Sequence, residues 1–150
     1  MEQVNCTHET PHAGCPNCYR APPLPRSRGE REVLPSRRPT VTHEVKVRRV
    51  DGTMTVFVGV SRYLDGRPAE LWIDTMREGH ELRTAHHAWA RMVSVALQHG
   101  VPFKSIKPPP APPAERGIVE VDGHIETVTS VFEAALRLMG RPQQHSARVT

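Results

Sequence analysis

The sequence is poor in several features that define large classes of protein. Of its 150 residues only three are cysteines, and 5% are aromatic. No apolar run approaches the roughly 18 residues that a transmembrane helix needs, and the N-terminal region has no apolar stretch of the secretory type. Three cysteines cannot all pair, which argues against a disulfide framework. We therefore expect an intracellular protein of a reducing compartment, without a membrane as partner.

Length and charge limit the chemistry further. The chain is too short for a large barrel enzyme, and its mean hydropathy of −0.49 with fifteen prolines indicates a small core. Twenty lysines and arginines against 16 aspartates and glutamates give a net charge of +4. The basic residues are spread along the chain, whereas nucleic-acid-binding proteins concentrate them in a patch. The composition thus predicts at most weak binding to nucleic acid.

All three cysteines lie near the N-terminus, where they alternate with histidines in the pattern C-x-H-x₃-H-x₂-C-x₂-C. The members of this cluster are Cys6, His8, His12, Cys15 and Cys18. Zinc prefers four such donors in a tetrahedron, and a C-x₂-C pair places two thiolates on one turn around the ion. Nothing apolar surrounds the cluster, so packing does not explain it. We predict a zinc knuckle over residues 1–18, closed by three cysteines and either His8 or His12.

Two other interpretations of the cluster stay open. The cysteines are free thiols in a tail, or Cys15 and Cys18 form a redox-active pair around Pro16-Asn17, a spacing found in thiol oxidoreductases. The following residues, 19–40, are rich in proline, which favours extended backbone. We interpret them as a linker or arm in front of the folded part.

Residues 41–140 carry the pattern of a folded domain. Apolar residues alternate at Val45 and Val47 and again from Met54 to Val60, and Asp51-Gly52 between them is a hairpin signal. A third strand begins near Leu71, and a short strand is expected over 117–121, followed by a turn at Asp122-Gly123. The pattern predicts an antiparallel sheet of three to four strands.

After the third strand the spacing of apolar residues changes from two to three or four, which predicts two helices. The first, over 81–99, has its apolar positions at three- and four-residue spacing and ends before Gly100. Its predicted buried positions are Leu82, Ala85, Trp89, Met92, Val93 and Ala96. The second begins at Ser130 with a capping-box pattern and ends at Gly140, with Val131, Ala135, Leu136 and Met139 as its buried positions. A proline run over 108–116 is expected to form a surface loop, and 141–150 a flexible tail.

The predicted fold is therefore α+β, with two helices on one face of a small sheet. The opposite face would carry Phe57, Tyr63 and Trp72, which either face water or contact a partner.

No catalytic group is assigned. Four acidic residues, Asp65, Glu70, Asp74 and Glu78, have no evident partner for acid–base chemistry, and Asp65 is expected to bond its own turn. A cluster of His80, Glu81, His86, His87 and His99 lacks the spacing of a metal site. Adjacent histidines on a helix point about 100° apart and cannot chelate together. We expect His86 and His87 to be exposed or partly packed.

Five segments, in chain order, resemble the TSCPD domain. This domain is the C-terminal accessory domain of cobalamin-dependent (class II) ribonucleotide reductases, and it also occurs alone in short phage or bacterial proteins. The segments are Leu34–Pro39, Tyr63–Ile73, Arg77–Gly79, Val93–Pro102 and Ser130–Met139. The second contains Asp65-Gly66-Arg67-Pro68 followed by Glu70, and the fourth is the most specific.

The resemblance implies a role in deoxyribonucleotide synthesis, in the cytoplasm of a bacterium or of a phage-infected cell. The implied partner is a reductase catalytic chain or a related DNA-precursor enzyme. The chain is too small to shelter a radical, so we expect a non-catalytic domain. Zinc is the expected cofactor, and cobalamin is not expected to bind because the catalytic barrel carries it. A dithiol shuttle through Cys15 and Cys18, or a small zinc-containing nucleic-acid-binding module, are the alternatives.

Overall fold

The computed structural model describes residues 29–76, 79–113 and 117–142. These residues form five strands and two α-helices, which confirms the predicted α+β class. In chain order they are β1 (Thr40–Arg49), β2 (Gly52–Arg62), β3 (Pro68–Thr75), α1 (His80–Gln98), a 3-10 turn (Phe103–Ser105), β4 (Ile118–Val121), β5 (His124–Glu126) and α2 (Val131–Gly140). The strands form one antiparallel sheet in the order β3-β2-β1-β4-β5. The predicted zinc knuckle and most of the predicted linker lie outside the described residues.

The predicted strand count of three to four is wrong: the short strand expected over 117–121 is present as β4, and it forms a further hairpin with β5, which was not predicted. Asp122 and Gly123 both adopt positive φ, of 48° and 86°, as a tight hairpin turn requires. β4 pairs with β1, so the hairpin extends the sheet beyond the predicted meander. β5 has three residues, too few for an alternating pattern to show in the sequence.

The core lies between one face of the sheet and α2, and Ala90, Val93 and Leu97 of α1 also belong to it. Alternate residues of β1 and β2 are buried as predicted, and Val45 stands opposite Val56 on one side and Val121 on the other. α2 presents an almost entirely apolar face to this layer and contacts β1, β2, β3 and β4. Its N-cap is confirmed, since the Ser130 hydroxyl accepts a hydrogen bond from the Glu133 amide at 3.1 Å.

The buried face of α1 differs from the predicted one. Its buried residues are His86, Ala90, Val93, Ser94, Leu97 and Gln98. Of the predicted positions only Val93 is among them, Leu82, Trp89 and Ala96 are half-buried, and Ala85 and Met92 are exposed. The apolar periodicity misplaced the buried face because three of the residues that α1 buries are polar.

The segment 29–39, assigned above to a linker, contacts the domain. The Glu32 amide donates to the Gln98 carbonyl oxygen at 2.7 Å, and the His99 ring lies 2.8 Å from the Gly29 carbonyl oxygen. Arg38 bonds the Glu70 carboxylate on β3. The folded unit therefore begins before residue 40.

Candidate functional site

Helix α1 runs along the free edge of the sheet, and its side chains bond the outward-facing groups of β3. The side-chain amide of Gln98 donates a hydrogen bond to the Ala69 carbonyl oxygen at 3.3 Å. The Ser94 hydroxyl accepts from the Leu71 amide at 2.9 Å and lies 3.2 Å from the Leu71 carbonyl oxygen. At the other end of the strand, the His86 ring lies 2.6 Å from the Thr75 hydroxyl.

These contacts form a ladder with a regular step. Positions 98, 94 and 86 of the helix meet positions 69, 71 and 75 of the strand. Four helical residues rise about 6 Å and two strand residues about 6.7 Å, so the two elements stay in register over this length. The expectation that His86 is exposed or only partly packed is wrong: it is fully buried, between Thr75 and the Phe132 ring, to which its own ring is steeply inclined.

A groove of about 560 Å³ lies between α1 and β3. Leu71 and Ile73 line it from the strand together with Trp72, which is 50% exposed. Arg83, Arg91 and Val95 line it from the helix. The groove thus combines strand backbone, an exposed indole and arginine side chains.

The charges of the groove are only partly compensated. Asp74 lies 3.2 Å from Arg83, and the Glu70 carboxylate accepts two hydrogen bonds from Arg38, at 2.7 and 3.0 Å. Arg31 bonds the neutral Gln98 side chain at 2.7 Å. Within the described part of the chain, neither Arg31 nor Arg91 forms an ion pair. The groove therefore carries a positive surplus.

The Asp65-Gly66-Arg67-Pro68 turn holds the N-terminal segment on the domain. Asp65 accepts a hydrogen bond from the Arg67 amide at 3.0 Å, which confirms its expected role in its own turn. The Arg67 guanidinium bonds both carboxylate oxygens of Glu32, at 2.9 and 3.1 Å, and lies 4.6 Å from the Tyr63 ring centroid. Burial raises the pKa of Tyr63 to about 12. These groups anchor the domain and are not poised for proton transfer.

The first two segments of the family resemblance meet in space through the Arg38–Glu70 pair. The sequence analysis found no partner for Glu70, because 32 residues separate it from Arg38. The only indication that the two residues are related was that both lie in segments similar to the same family.

The predicted partner-contact residues do not share one exposed face. Trp72 is exposed on the outer face of the sheet, where its ring lies against Gly59. Phe57 is half-buried on the same face, opposite Asp74 of β3. Tyr63 is only 2% exposed, so the expectation that it faces water or a partner is wrong. It lies beyond the end of β2, where Arg67 covers its ring.

The other predicted positions have separate locations. Cys6, His8, His12, Cys15, Cys18 and Glu78 lie outside the described residues. Of the remaining candidates, His87 is exposed near Asp74 and His99 contacts Gly29. In ranges 29–76, 79–113 and 117–142 no three histidine, cysteine or acidic side chains lie close enough to hold a metal. The zinc site and its redox alternative stay predictions.

The sequence analysis did not identify Arg31, Ser94 and Gln98 as residues of the candidate site. Polar residues spaced by multiples of four along α1, at His86, Ser94 and Gln98, were the available signal, because such residues lie on one side of a helix. Two of them fall within the segment of highest family specificity. No helix among the described residues has the length and apolar character to cross a bilayer.

Comparison with known proteins agrees with the first four of the five segments that resemble the TSCPD domain. The profile of the TSCPD domain matches residues 25–107. The chain is 32% identical over 115 residues to a vitamin B12-dependent ribonucleotide reductase of Agrobacterium fabrum, covering 72% of this chain and 8% of that protein. Proteins of the same name from Bradyrhizobium diazoefficiens and Rhodopirellula baltica are 39% and 33% identical over 74 and 76 residues, which cover 49% and 51% of this chain.

The chain spans only 6–8% of the length of these relatives. No solved structure matches it. The profile match extends over more than half of the sequence and includes the N-terminal anchor, the edge strand and α1, and on this evidence the chain belongs to the TSCPD domain family.

Proposed function

We propose that the chain is a non-catalytic accessory domain of ribonucleotide reductase and acts in deoxyribonucleotide synthesis by binding the reductase catalytic chain or a related DNA-precursor enzyme. The observation that carries the proposal is the 115-residue similarity to a vitamin B12-dependent ribonucleotide reductase. We infer that the chain keeps surfaces that, in the similar part of that enzyme, contact the rest of the enzyme.

The geometry of the described residues supports a binding role. Asp65, Glu70 and Asp74 each face an arginine, so none is positioned as a free acid or base. The groove beside β3 combines an exposed indole with uncompensated positive charge, features common in recognition surfaces. Such a surface binds a partner without requiring chemistry from this chain.

The test is co-purification. The tagged full chain is mixed with a purified vitamin B12-dependent ribonucleotide reductase, and the retained enzyme is quantified. We expect specific retention, and no product from the chain alone with nucleotide, reductant and adenosylcobalamin. Failure to retain any nucleotide enzyme in repeated trials would remove the proposal, and deoxynucleotide formed by the chain alone would contradict its non-catalytic part.

We also propose zinc at the N-terminal cluster, on the spacing of Cys6, Cys15 and Cys18 with His8 or His12. Elemental analysis should give one zinc per chain, with thiols that alkylate only after chelation. If both thiols of Cys15 and Cys18 react without a chelator and a thioredoxin system cycles them, the dithiol shuttle replaces the knuckle. Steeply salt-dependent oligonucleotide binding would instead favour the nucleic-acid-binding module.

A further inference from the structure

The two walls of the groove face each other in register. One wall is a row of residues spaced by four along α1, and the other is the row of β3 residues that point to the outer face of the sheet. The rows are Arg83, His87, Arg91 and Val95 on the helix and Glu70, Trp72 and Asp74 on the strand. Since α1 closes the edge of β3 with its own hydrogen bonds, these outward-facing side chains decide what the groove binds.

Arg91 lies level with Trp72 across the groove. The helix and the strand run in opposite directions, because successive steps of the ladder go down the helix and up the strand. Nε2 of His87 lies 3.8 Å from Oδ1 of Asp74, which aligns these two positions. One helical turn further, about 6 Å, stands Arg91, and two strand residues earlier, about 6.7 Å, stands Trp72. An arginine therefore stands opposite the indole.

The Trp72 ring is supported by the sheet and open to the groove. Trp72 pairs with Gly59 of β2, and a Cβ atom at position 59 would lie only 3.3 Å from Cε3 of the indole. The glycine thus lets the ring pack against the backbone of the neighbouring strand. Trp72 nevertheless remains 50% exposed. An exposed aromatic ring that is held from one side is suited to stack on a planar ring of a ligand.

The charge of the groove favours an anion. The side chains of Arg31 and Arg91 are exposed, and within the described part of the chain neither forms an ion pair. Arg31 is held at the groove by the hydrogen bond from its Nε to Gln98, at 2.7 Å. The two acidic residues of the strand row already bond arginines. Guanidinium groups bind phosphate through parallel N–H donors, so the two arginines are suited to a phosphorylated ligand.

The size of the groove favours a single nucleotide over a strand of nucleic acid. Its volume of about 560 Å³ lies within the range of small-molecule sites, roughly 300–1,000 Å³. Single-stranded nucleic acids are bound by several aromatic rings that stack successive bases. Besides His87, Trp72 is the one aromatic residue among the described residues of this groove. One ring beside two arginines corresponds to one base and its phosphate groups.

We propose that the groove between α1 and β3 binds a nucleoside phosphate, with its base stacked on Trp72 and its phosphate groups at Arg91 and Arg31. Such a ligand combines the two chemistries that meet here, a planar ring and a compact anion. The proposal goes beyond the proposed function and does not rest on it, because it follows from side chains of this chain alone. Nucleotide binding and retention of the reductase are separate properties that one set of variants measures.

Four full-length variants test the proposal by isothermal titration calorimetry. Trp72→Leu removes the ring, and Trp72→Phe keeps one. Arg91→Glu reverses the charge opposite the ring, and Lys104→Glu is its matched control, because Lys104 is an exposed cation outside the groove. The ligands are the triphosphates of adenosine, guanosine, cytidine, uridine and thymidine. Inorganic triphosphate, oligothymidine and a glutamate-rich peptide are the comparison ligands.

We expect at least one nucleoside triphosphate to bind the wild-type chain more tightly than inorganic triphosphate does. Trp72→Leu should weaken this binding about tenfold by removing the stacking surface, whereas Trp72→Phe should keep it within about threefold. Arg91→Glu should weaken it about tenfold, with a smaller effect at high salt, because a reversed charge repels the phosphate. Lys104→Glu should remain within about twofold of the wild type. Unchanged urea unfolding curves would show that these losses are local.

Several results would overturn the proposal. One is that no nucleoside triphosphate binds, and another is that neither Trp72→Leu nor Arg91→Glu weakens the binding. Inorganic triphosphate that binds as tightly as any nucleotide would reduce the groove to an anion site. Tighter binding of oligothymidine or of the peptide than of every nucleotide would assign the groove to a polymer.

Retention of the reductase is measured in parallel on the same variants, so that the two proposals fail separately. If the enzyme is retained and nucleotides do not bind, the nucleotide site falls and the proposed function stands. If nucleotides bind as expected and the enzyme is not retained, the proposed function falls and the nucleotide site stands.

Discussion

The two helices of this domain are positioned by different forces. α2 packs six buried residues, all apolar, on the sheet, and its short length suffices because it contacts four of the five strands. α1 has nearly twice as many residues, yet contacts mainly β3, and half of its buried residues are polar. Hydrophobic burial is non-directional, whereas hydrogen bonds require defined geometry. α1 is therefore the helix whose orientation is specified residue by residue, and it is the one beside the groove.

The helices also meet each other. The ring of Phe132 on α2 forms T-shaped contacts with the rings of His86 and Trp89 on α1, with centroid distances of 5.1 and 4.9 Å. This contact joins the hydrogen-bonded edge of the domain to its apolar core. α2 therefore supports α1, which forms one wall of the groove, although α2 itself contributes no residue to the groove.

The largest effect is expected from the apolar face of α2. Leu138→Ala removes a side chain that is 2% exposed and leaves a cavity, so the free energy of unfolding should fall by about 2–5 kcal/mol. Met92→Ala, at a position of α1 that is 70% exposed, is the control and should change it by less than about 0.5 kcal/mol. Urea unfolding measures both. A large loss at Met92 would contradict the observed orientation of α1 and favour the predicted one.

The next effect is expected from the ladder of α1. Ser94→Ala leaves the Leu71 amide without its acceptor and should lower the free energy of unfolding by about 1–3 kcal/mol. Ser105→Ala, at an exposed position of the 3-10 turn, should be near neutral. If Ser94→Ala is also neutral in urea unfolding, α1 is held by apolar contacts like α2, and the contrast between the helices disappears.

A smaller effect is expected at the start of α2. Ser130→Ala removes the acceptor for the Glu133 amide and should cost about 1 kcal/mol of unfolding free energy. Thr84→Ala, at an exposed position in α1, changes no cap and should not destabilise the protein. Equal losses for the two variants in urea unfolding would indicate that the cap contributes nothing specific.

The smallest effect concerns pH. Hydrogen bonds from Thr129 lower the pKa of Glu133, so the folded state favours the ionised carboxylate. This contribution to stability is present above the pKa of the unfolded state and is lost as the pH falls through the lower pKa of the folded state.

Glu133→Gln should therefore reduce the difference between the urea midpoints at about pH 6 and about pH 3. Thr84→Ala, at an exposed position of α1 without a titrating group, is the control and should leave the wild-type difference unchanged. If both variants behave like the wild type, the bonds from Thr129 do not stabilise the charged form.

Features that depend on neighbouring residues could be predicted from the sequence. The alternation from Met54 to Val60 and the turns at Asp51-Gly52 and Asp122-Gly123 are local patterns, and so is the cap at Ser130. The ion pair between Arg38 and Glu70 and the ladder on β3 join residues far apart in the chain. Apolar periodicity carries no information about them, and it misplaced the buried face of α1 for that reason.

What the sequence determined by itself was the α+β class, the main strands and helices, and the family, because backbone preferences and ordered motifs are written in consecutive residues. Only the tertiary structure decided that α1 lies along the edge of β3, that Tyr63 is buried and Trp72 exposed, and that Ser94 and Gln98 bond the backbone of β3. The physical reason is that a side chain's partners depend on which elements pack together, and that choice is made by the summed burial and hydrogen bonding of the whole domain.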